Sequence, residues 1–275
     1  MPGLFVTGTD TGAGKTIVSA ALLAAITGSG ERAHAHKPVL TGLEETAGTW
    51  PADHELLGAL AHMLPEEVAP LRFRAAVAPH LAARLEQRTL GAEQILANAR
   101  AALAHADRSG AVLVVEGVGG ILCPLAENLA VVDLALELGL PTVVAARPGL
   151  GTINHTLLTL EAARWRGLGV RAVVLTPWPQ VPAAMEISNR DTIAQRGQVE
   201  VVTLAHVDRP ASRSLARAGA DLPWGRWLEP GEWRHPAAVP GRATTQPLAV
   251  RAAELASAAA RMPSVTAASS SSPIT

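Results

Sequence analysis

The stretch Leu4-Phe5-Val6-Thr7-Gly8-Thr9-Asp10-Thr11-Gly12-Ala13-Gly14-Lys15-Thr16 constrains this chain more than any other. Its apolar start reads as a buried strand. The glycine-rich turn that follows leads into Ile17-Val18-Ser19-Ala20-Ala21-Leu22-Leu23-Ala24-Ala25, helix-forming residues with apolar side chains on a helical period. Strand, glycine loop, Gly-Lys-Thr and helix is the layout of a phosphate-binding loop. Glycines let successive backbone N–H groups turn toward one anion, and the positive end of the following helix adds to the attraction. In that layout Gly12, Ala13, Gly14, Lys15, Thr16 and Ile17 surround a nucleotide's phosphates. Lys15 reaches the outer phosphates as a point charge, and the Thr16 hydroxyl can ligate Mg²⁺. The spacing departs from the common one, with five residues rather than four between Gly8 and Gly14. Gly12 and Ala13 are therefore expected to supply the tight turn.

Further along, short apolar runs alternate with helical patterns. Arg32 to Val39 reads as a second strand ending in Lys37-Pro38. Pro cannot donate to a strand ladder, so Lys37 is expected at the strand's end, facing the crevice. Ala111 to Gly117 is an apolar run that ends in Glu116. A carboxylate at the carboxyl end of a central strand, facing a phosphate loop, is where such proteins hold Mg²⁺; the alternative is an acid facing solvent. Asp53 opens a helical pattern at Leu56, Leu57, Leu60 and Ala61, where an acid also serves as a simple cap. Gly149-Leu150-Gly151-Thr152 opens the helix Ile153 to Arg166, as a second anion site or a plain N-terminus. His34 and His36 share one face of the second strand. With no third ligand nearby in sequence, they read as ordinary strand positions rather than a metal pair. Further strands are expected at Pro141 to Ala146, Arg171 to Thr176 and 199–204, and helices at 91–106, 129–138 and 183–196. Residues 65–90 are interrupted by proline and show no clear period.

This alternation predicts an α/β fold of the P-loop NTPase type: a mostly parallel sheet, helices on both faces, and ligands at the carboxyl ends of the strands. Residues 1–228 form the expected domain. Beyond them Pro230, Pro236, Pro240 and Pro247 break the chain, an Ala-rich run extends from Leu248 to Arg261, and four serines follow at Ser269 to Ser272. Residues 229–275 are expected to be a poorly ordered extension with at most one helix. Hydrophobic residues make up 48% of the chain and charged residues 17%, which supports a substantial core, and the net charge of −1 gives no electrostatic case for nucleic acid or an anionic membrane. The single cysteine, Cys123, fits a reducing cytosol. No leader-like segment precedes the first strand, and no apolar run reaches the roughly 18 residues of a membrane span. The expectation is a soluble, cytoplasmic protein.

Taken together, four segments narrow the reading. GTDTGAGKT at 8–16, HKPVLTG at 36–42, VVEGVGG at 114–120 and GLGTINHTLLTLEA at 149–162 stand in the order seen in dethiobiotin synthetases. The resemblance to that family covers residues 3–205. It implies closure of a cyclic urea on 7,8-diaminononanoate with CO₂ and ATP: an amine is carbamated, the carbamate takes the γ-phosphoryl group, and the second amine displaces phosphate. Carried over by position, Lys15 and Lys37 are the cations on the transferring group, and Thr16, Asp53 and Glu116 are the Mg²⁺ ligands. Thr11 and Thr41 match positions that contact the diamine or its carbamate. Gly151, Thr152, Ile153 and Asn154 match the helix start that takes the substrate carboxylate across a homodimer interface.

Three departures from the family pattern matter. Gly12 stands where the best-studied members carry an acid. The chain has no tyrosine, so an aromatic substrate contact that some members make from the 183–196 helix is either missing or replaced, the candidate place being near Asn189. Thr176-Pro177-Trp178-Pro179 replaces an asparagine that reads the adenine edge in many members. An amide both donates and accepts, and Thr176 offers a single hydroxyl, so ATP is expected to be used without strong base preference; the alternative is that backbone groups near 204–208 read adenine unaided. Other P-loop readings fit less well. A partition-type ATPase needs a lysine where Asp10 stands, a GTPase needs an Asn-Lys-x-Asp motif, and the related amidoligases usually add a glutaminase domain. A pure binding module has no reason to keep Lys37, Asp53 and Glu116 together.

Overall fold

The computed structural model describes residues 2–44 and 50–229. The expected extension past residue 229, with its Leu248 to Arg261 helix, lies outside the described residues. Strand β1 (Gly3–Gly8) is followed by α1 (Lys15–Gly28), β2 (Ala33–His36), α2 (Asp53–Ala61), α3 (Pro65–Val68), α4 (Pro79–Leu85) and α5 (Ala92–Ser109). Next come β3 (Val112–Glu116), β4 (Pro124–Ala126), β5 (Leu129–Ala130), α6 (Val131–Leu138), β6 (Thr142–Ala146) and α7 (Thr152–Trp165). Strand β7 (Val170–Trp178), α8 (Ala184–Gly197), β8 (Glu200–Ala205), α9 (Ser212–Gly219) and α10 (Trp224–Leu228) follow.

Six strands form one sheet in the order β2-β3-β1-β6-β7-β8, and every pairing in it is parallel. Strands buried on both faces read as unbroken apolar runs, as β1, β3 and β6 do. Alternate side chains feed two cores. Leu4 and Val6 of β1 join Val114 of β3, Leu22 and Leu23 of α1, Leu57 of α2 and Trp227 of α10 on one face. Phe5 joins Leu113 and Val115 with Ile95 of α5 and Leu134 of α6 on the other, while α7 and α8 cover its β6–β7 end through Leu160 and Ile193.

The fold agrees with the expected class and refines its boundaries. Strand β2 is shorter than expected because the backbone past His36 leaves β3: the Lys37 N–H donates to Val68 O at 2.8 Å, and Leu40 bridges to Arg72. The small antiparallel β4–β5 hairpin and helices α9 and α10 have no counterpart in the sequence reading. Chain order brings β3 back beside β1 and then sends β6 to its other side. The carboxyl ends of β2, β3 and β1 therefore open on one crevice, where an open parallel sheet takes its ligand.

Candidate functional site

The glycine loop fills the connection from β1 to α1. Gly12 and Gly14 adopt left-handed φ values of 70° and 92°, so glycines at 12 and 14, and not Ala13, make the turn. Ala13 is instead buried against the fold. A Cβ on Gly14 would stand 2.4 Å from Cγ2 of Thr176, at the end of β7. This contact explains why only glycine fits there, since a methyl group would collide and the backbone conformation would be strained. Gly14 also serves as the N-cap of α1, with no side chain capping the helix and no acid in its first turn. The helix N-terminus is thus left open to an anion.

Each charged group at the loop comes from a different element. Lys15, the first residue of α1, is buried and donates from Nζ to Asp10 O at 2.9 Å. Lys37 follows the last residue of β2. Its Nζ bridges Oδ2 of Asp53 and Oε1 of Glu116, the latter at 2.6 Å. Asp53 is the first residue of α2, but its carboxylate caps nothing: Glu55 Oε2 accepts the Ala52 N–H at 3.2 Å instead, leaving Asp53 to Lys37. Glu116, the last residue of β3, is fully buried, and the Thr16 hydroxyl donates to its Oε1 at 2.9 Å. Its other oxygen, Oε2, is buried with no hydrogen-bond partner among the described residues.

Electrostatics follow from this packing. Burial by itself lowers the Lys37 pKa, but the Glu116 and Asp53 carboxylates outweigh it and hold the ammonium above its ordinary range. Burial by itself raises the Asp53 pKa, and Lys37 outweighs it, so this carboxyl stays below the usual range. Among the described residues no carboxylate is in direct contact with Lys15. Burial pushes its pKa down against the pull of Glu116.

These groups line a cleft of about 640 Å³. Thr11, Gly12, Gly14, Lys15, Thr16, Ile17, Lys37, Thr41, Asp53 and Glu116 all face it, so most residues singled out from the sequence share one cavity. Such a volume suits a substantial ligand. Glu116, Asp53 and the Thr16 hydroxyl offer hard oxygen donors, and Glu116 Oε2 has no hydrogen-bond partner among the described residues. That set suits Mg²⁺, which takes one or two carboxylates and completes its shell with water and phosphate oxygens. No group of three or more His, Cys, Asp or Glu among the described residues is arranged to hold a metal by itself.

Other sequence candidates lie elsewhere. Gly151, Thr152, Ile153 and Asn154 form the start of α7, outside the cleft lining. Thr176 is buried against Gly14, and the Trp178 carbonyl next along accepts the His206 N–H at 3.1 Å. Asn189, buried on α8, donates from Nδ2 to Pro148 O at 2.9 Å, so it pins the turn into α7. His36 is buried with both ring nitrogens unpartnered among the described residues, and His34 stacks on His105 at 4.8 Å. Sequence reasoning passed over Arg147, whose Nη2 donates to Thr11 O at 3.2 Å across the glycine loop. It directly follows β6, as Lys37 follows β2, and that strand-end position was the signal for it.

A family model described as an AAA domain matches residues 2–211. The ATP-dependent dethiobiotin synthetase BioD of Anaeromyxobacter sp. strain K is 47% identical over 177 residues, covering 64% of this chain and 76% of the relative. Its counterpart in Anaeromyxobacter sp. strain Fw109-5 is 44% identical over 221 residues, 78% of this chain and 94% of the relative. Among solved structures, the MinC:MinD cell division protein complex of Aquifex aeolicus aligns over 79% of this chain and 86% of that one, at 12% identity and a TM-score of 0.44.

Proposed function

This chain belongs to the family of ATP-dependent dethiobiotin synthetases, ligases of biotin biosynthesis, and from that premise we propose how its cleft carries out the reaction. The observation that carries the proposal is the convergence of Lys15, Lys37, Asp53 and Glu116 on the cavity beside the glycine loop. Little covalent chemistry is asked of the protein in phosphoryl transfer. It must align the groups and neutralise charge as it develops.

In this reading 7,8-diaminononanoate binds with one amine in the cleft near Thr11 and Thr41. The amine adds to CO₂ and loses a proton, giving a carbamate. A carbamate oxygen then attacks the γ-phosphorus of ATP, and ADP leaves. The second amine attacks the carbonyl carbon of the mixed anhydride, phosphate leaves, and the urea ring of dethiobiotin is closed. The glycine-loop N–H groups and Lys15 hold the phosphates, and Lys37 stabilises negative charge on the carbamate and the moving phosphoryl group. Thr16, Asp53 and Glu116 would hold Mg²⁺, which when bound neutralises the phosphates and orients them.

The reading extends to a homodimer in which the start of α7, Gly151 to Asn154, takes the substrate carboxylate of the partner's site. Leu150 beside that helix start is 95% exposed, and Leu122 and Leu158 are 57% and 60% exposed along the neighbouring groove. Exposed leucines on and beside α7 support an interaction surface there. A cytoplasmic location goes with this reading, supported by the free thiol of Cys123. The test is direct: incubate the protein with MgATP, bicarbonate and 7,8-diaminononanoate and identify the product by mass. Formation of dethiobiotin with stoichiometric ADP supports the proposal. ADP formed without it, or neither product, refutes it.

A further inference from the structure

Lys37 holds both carboxylates that the preceding reading gives to a metal ion. Its ammonium contacts Asp53 and Glu116 directly, and Lys37 and Glu116 are 5% and 0% exposed. Lys15 lines the same cleft as this group. With both lysines and both carboxylates ionised the cluster is formally neutral, so a bare dication would leave it at +2. Excess charge in a poorly solvated place costs far more than the same charge in water. A nucleoside triphosphate arriving with the ion supplies the missing negative charge and gives a displaced ammonium new partners.

We infer that Lys37 is a specificity-determining counter-ion. It closes Asp53 and Glu116 to free divalent cations and yields them only to an ion that arrives on a polyphosphate. The geometry suits an exchange. Among the described residues only Oε1 of Glu116 is engaged, by Lys37 and Thr16, and Oε2 has no partner. Asp53 keeps 35% of its side chain exposed, so a ligand can reach it from the cleft. A buried carboxylate such as Glu116 is strongly destabilised without a cation beside it, so a lysine that occupies the site and then leaves it serves both states. The inference rests on the assignment of Thr16, Asp53 and Glu116 to the metal.

Its test is Mn²⁺ binding to the whole chain, read from the electron paramagnetic resonance signal of the free ion, with and without a non-hydrolysable ATP analogue. Wild type is expected to bind Mn²⁺ at least about tenfold more tightly with the analogue than without it. In Lys37→Gln, Mn²⁺ without nucleotide should bind at least about tenfold more tightly than in wild type and raise the variant's Tm. In Lys37→Arg, which keeps the charge, the free ion should still be rejected. Equal affinity in wild type with and without analogue overturns the inference, and that comparison stands even if a variant does not fold. A folded Lys37→Gln that binds no more tightly than wild type also overturns it. Adding Glu116→Gln to Lys37→Gln separates the two levels. If affinity is then unchanged, the metal assignment falls and the inference with it; if it drops while Lys37→Gln matches wild type, only the role of Lys37 falls.

Discussion

The chain turns from strand into helix through a glycine at two places that are alike in backbone and unlike in surroundings. Gly14, ahead of α1, has φ of 92°, and Gly151, ahead of α7, has φ of 90°. Each helix starts without a side-chain cap or an acid in its first turn, so each presents free N–H groups and the positive end of a dipole. A Cβ on Gly14 would collide with Thr176, whereas one on Gly151 would meet nothing within 4 Å. Around the first turn, β2, β3 and α2 deliver Lys37, Glu116 and Asp53. At the second, Asn189 fixes the backbone and the outward neighbour is the exposed Leu150. Both turns present free N–H groups, and among the described residues Lys15, Lys37, Asp53 and Glu116 gather at the first; in the proposed reading that turn acts on phosphate and the second holds the substrate carboxylate.

The largest expected effect lies at the first turn. Glu116→Gln and Asp53→Asn keep shape and remove charge, so turnover should fall by about 10²-fold or more with the circular dichroism spectrum unchanged. Asn154→Ala, at the second turn, should act mainly on KM for the diamine. Near-normal turnover in both acid variants would erase the difference between the turns.

Exchanging the glycines comes next. Gly14→Ala forces a Cβ onto Thr176 in addition to backbone strain, and should cost at least about tenfold in nucleotide affinity together with several degrees of Tm. Gly151→Ala meets only the left-handed backbone penalty, about 1–2 kcal/mol, and should leave nucleotide affinity as it is. Nucleotide titrations and thermal melts of the two variants settle the matter. Equal losses in both would show that backbone conformation, and not surroundings, distinguishes these turns.

How far the sequence reached follows the same division. The first turn was legible because strand, glycines, Gly-Lys-Thr and helix are contiguous, and each part has its own physical signature. Glu116 was legible because it ends an apolar run, and Lys37 because Pro38 after it closes the strand; in a parallel sheet both positions mean the ligand edge. Asp53 was ambiguous between cap and ligand. Only the structure shows Glu55 closing the helix start and leaving Asp53 to Lys37. The collision between Gly14 and Thr176 joins residues 162 positions apart and leaves no local trace. Helices α9 and α10 were missed because short segments carry too few turns to show a period. The Arg147 contact went unnoticed because its acceptor is a backbone carbonyl, which every residue has.

The smallest effect on turnover concerns His36, the residue before Lys37, and its signature lies in stability. Burial pushes its pKa down to about 4 from the ordinary 6.5. Between those values the unfolded chain binds a proton that the folded chain does not, so stability falls as pH drops from 6.5 toward 4, by on the order of 3 kcal/mol in all. His34, also lowered by burial, adds to the same limb. His36→Met removes the titrating group and two unpartnered nitrogens, and should flatten Tm against pH over that window with turnover at pH 8 little changed. An unchanged slope would place the acid sensitivity elsewhere.

The central claim, that the first turn acts through Lys37 on the reacting groups, is tested most directly by dethiobiotin turnover in Lys37→Ala at saturating and limiting ATP. The account expects kcat to fall by about 10²-fold or more, with a much smaller change in KM for ATP, because the ammonium stabilises charge that develops only as the phosphoryl group moves. A variant that keeps wild-type kcat and loses only affinity for ATP would contradict it and make Lys37 a plain nucleotide contact.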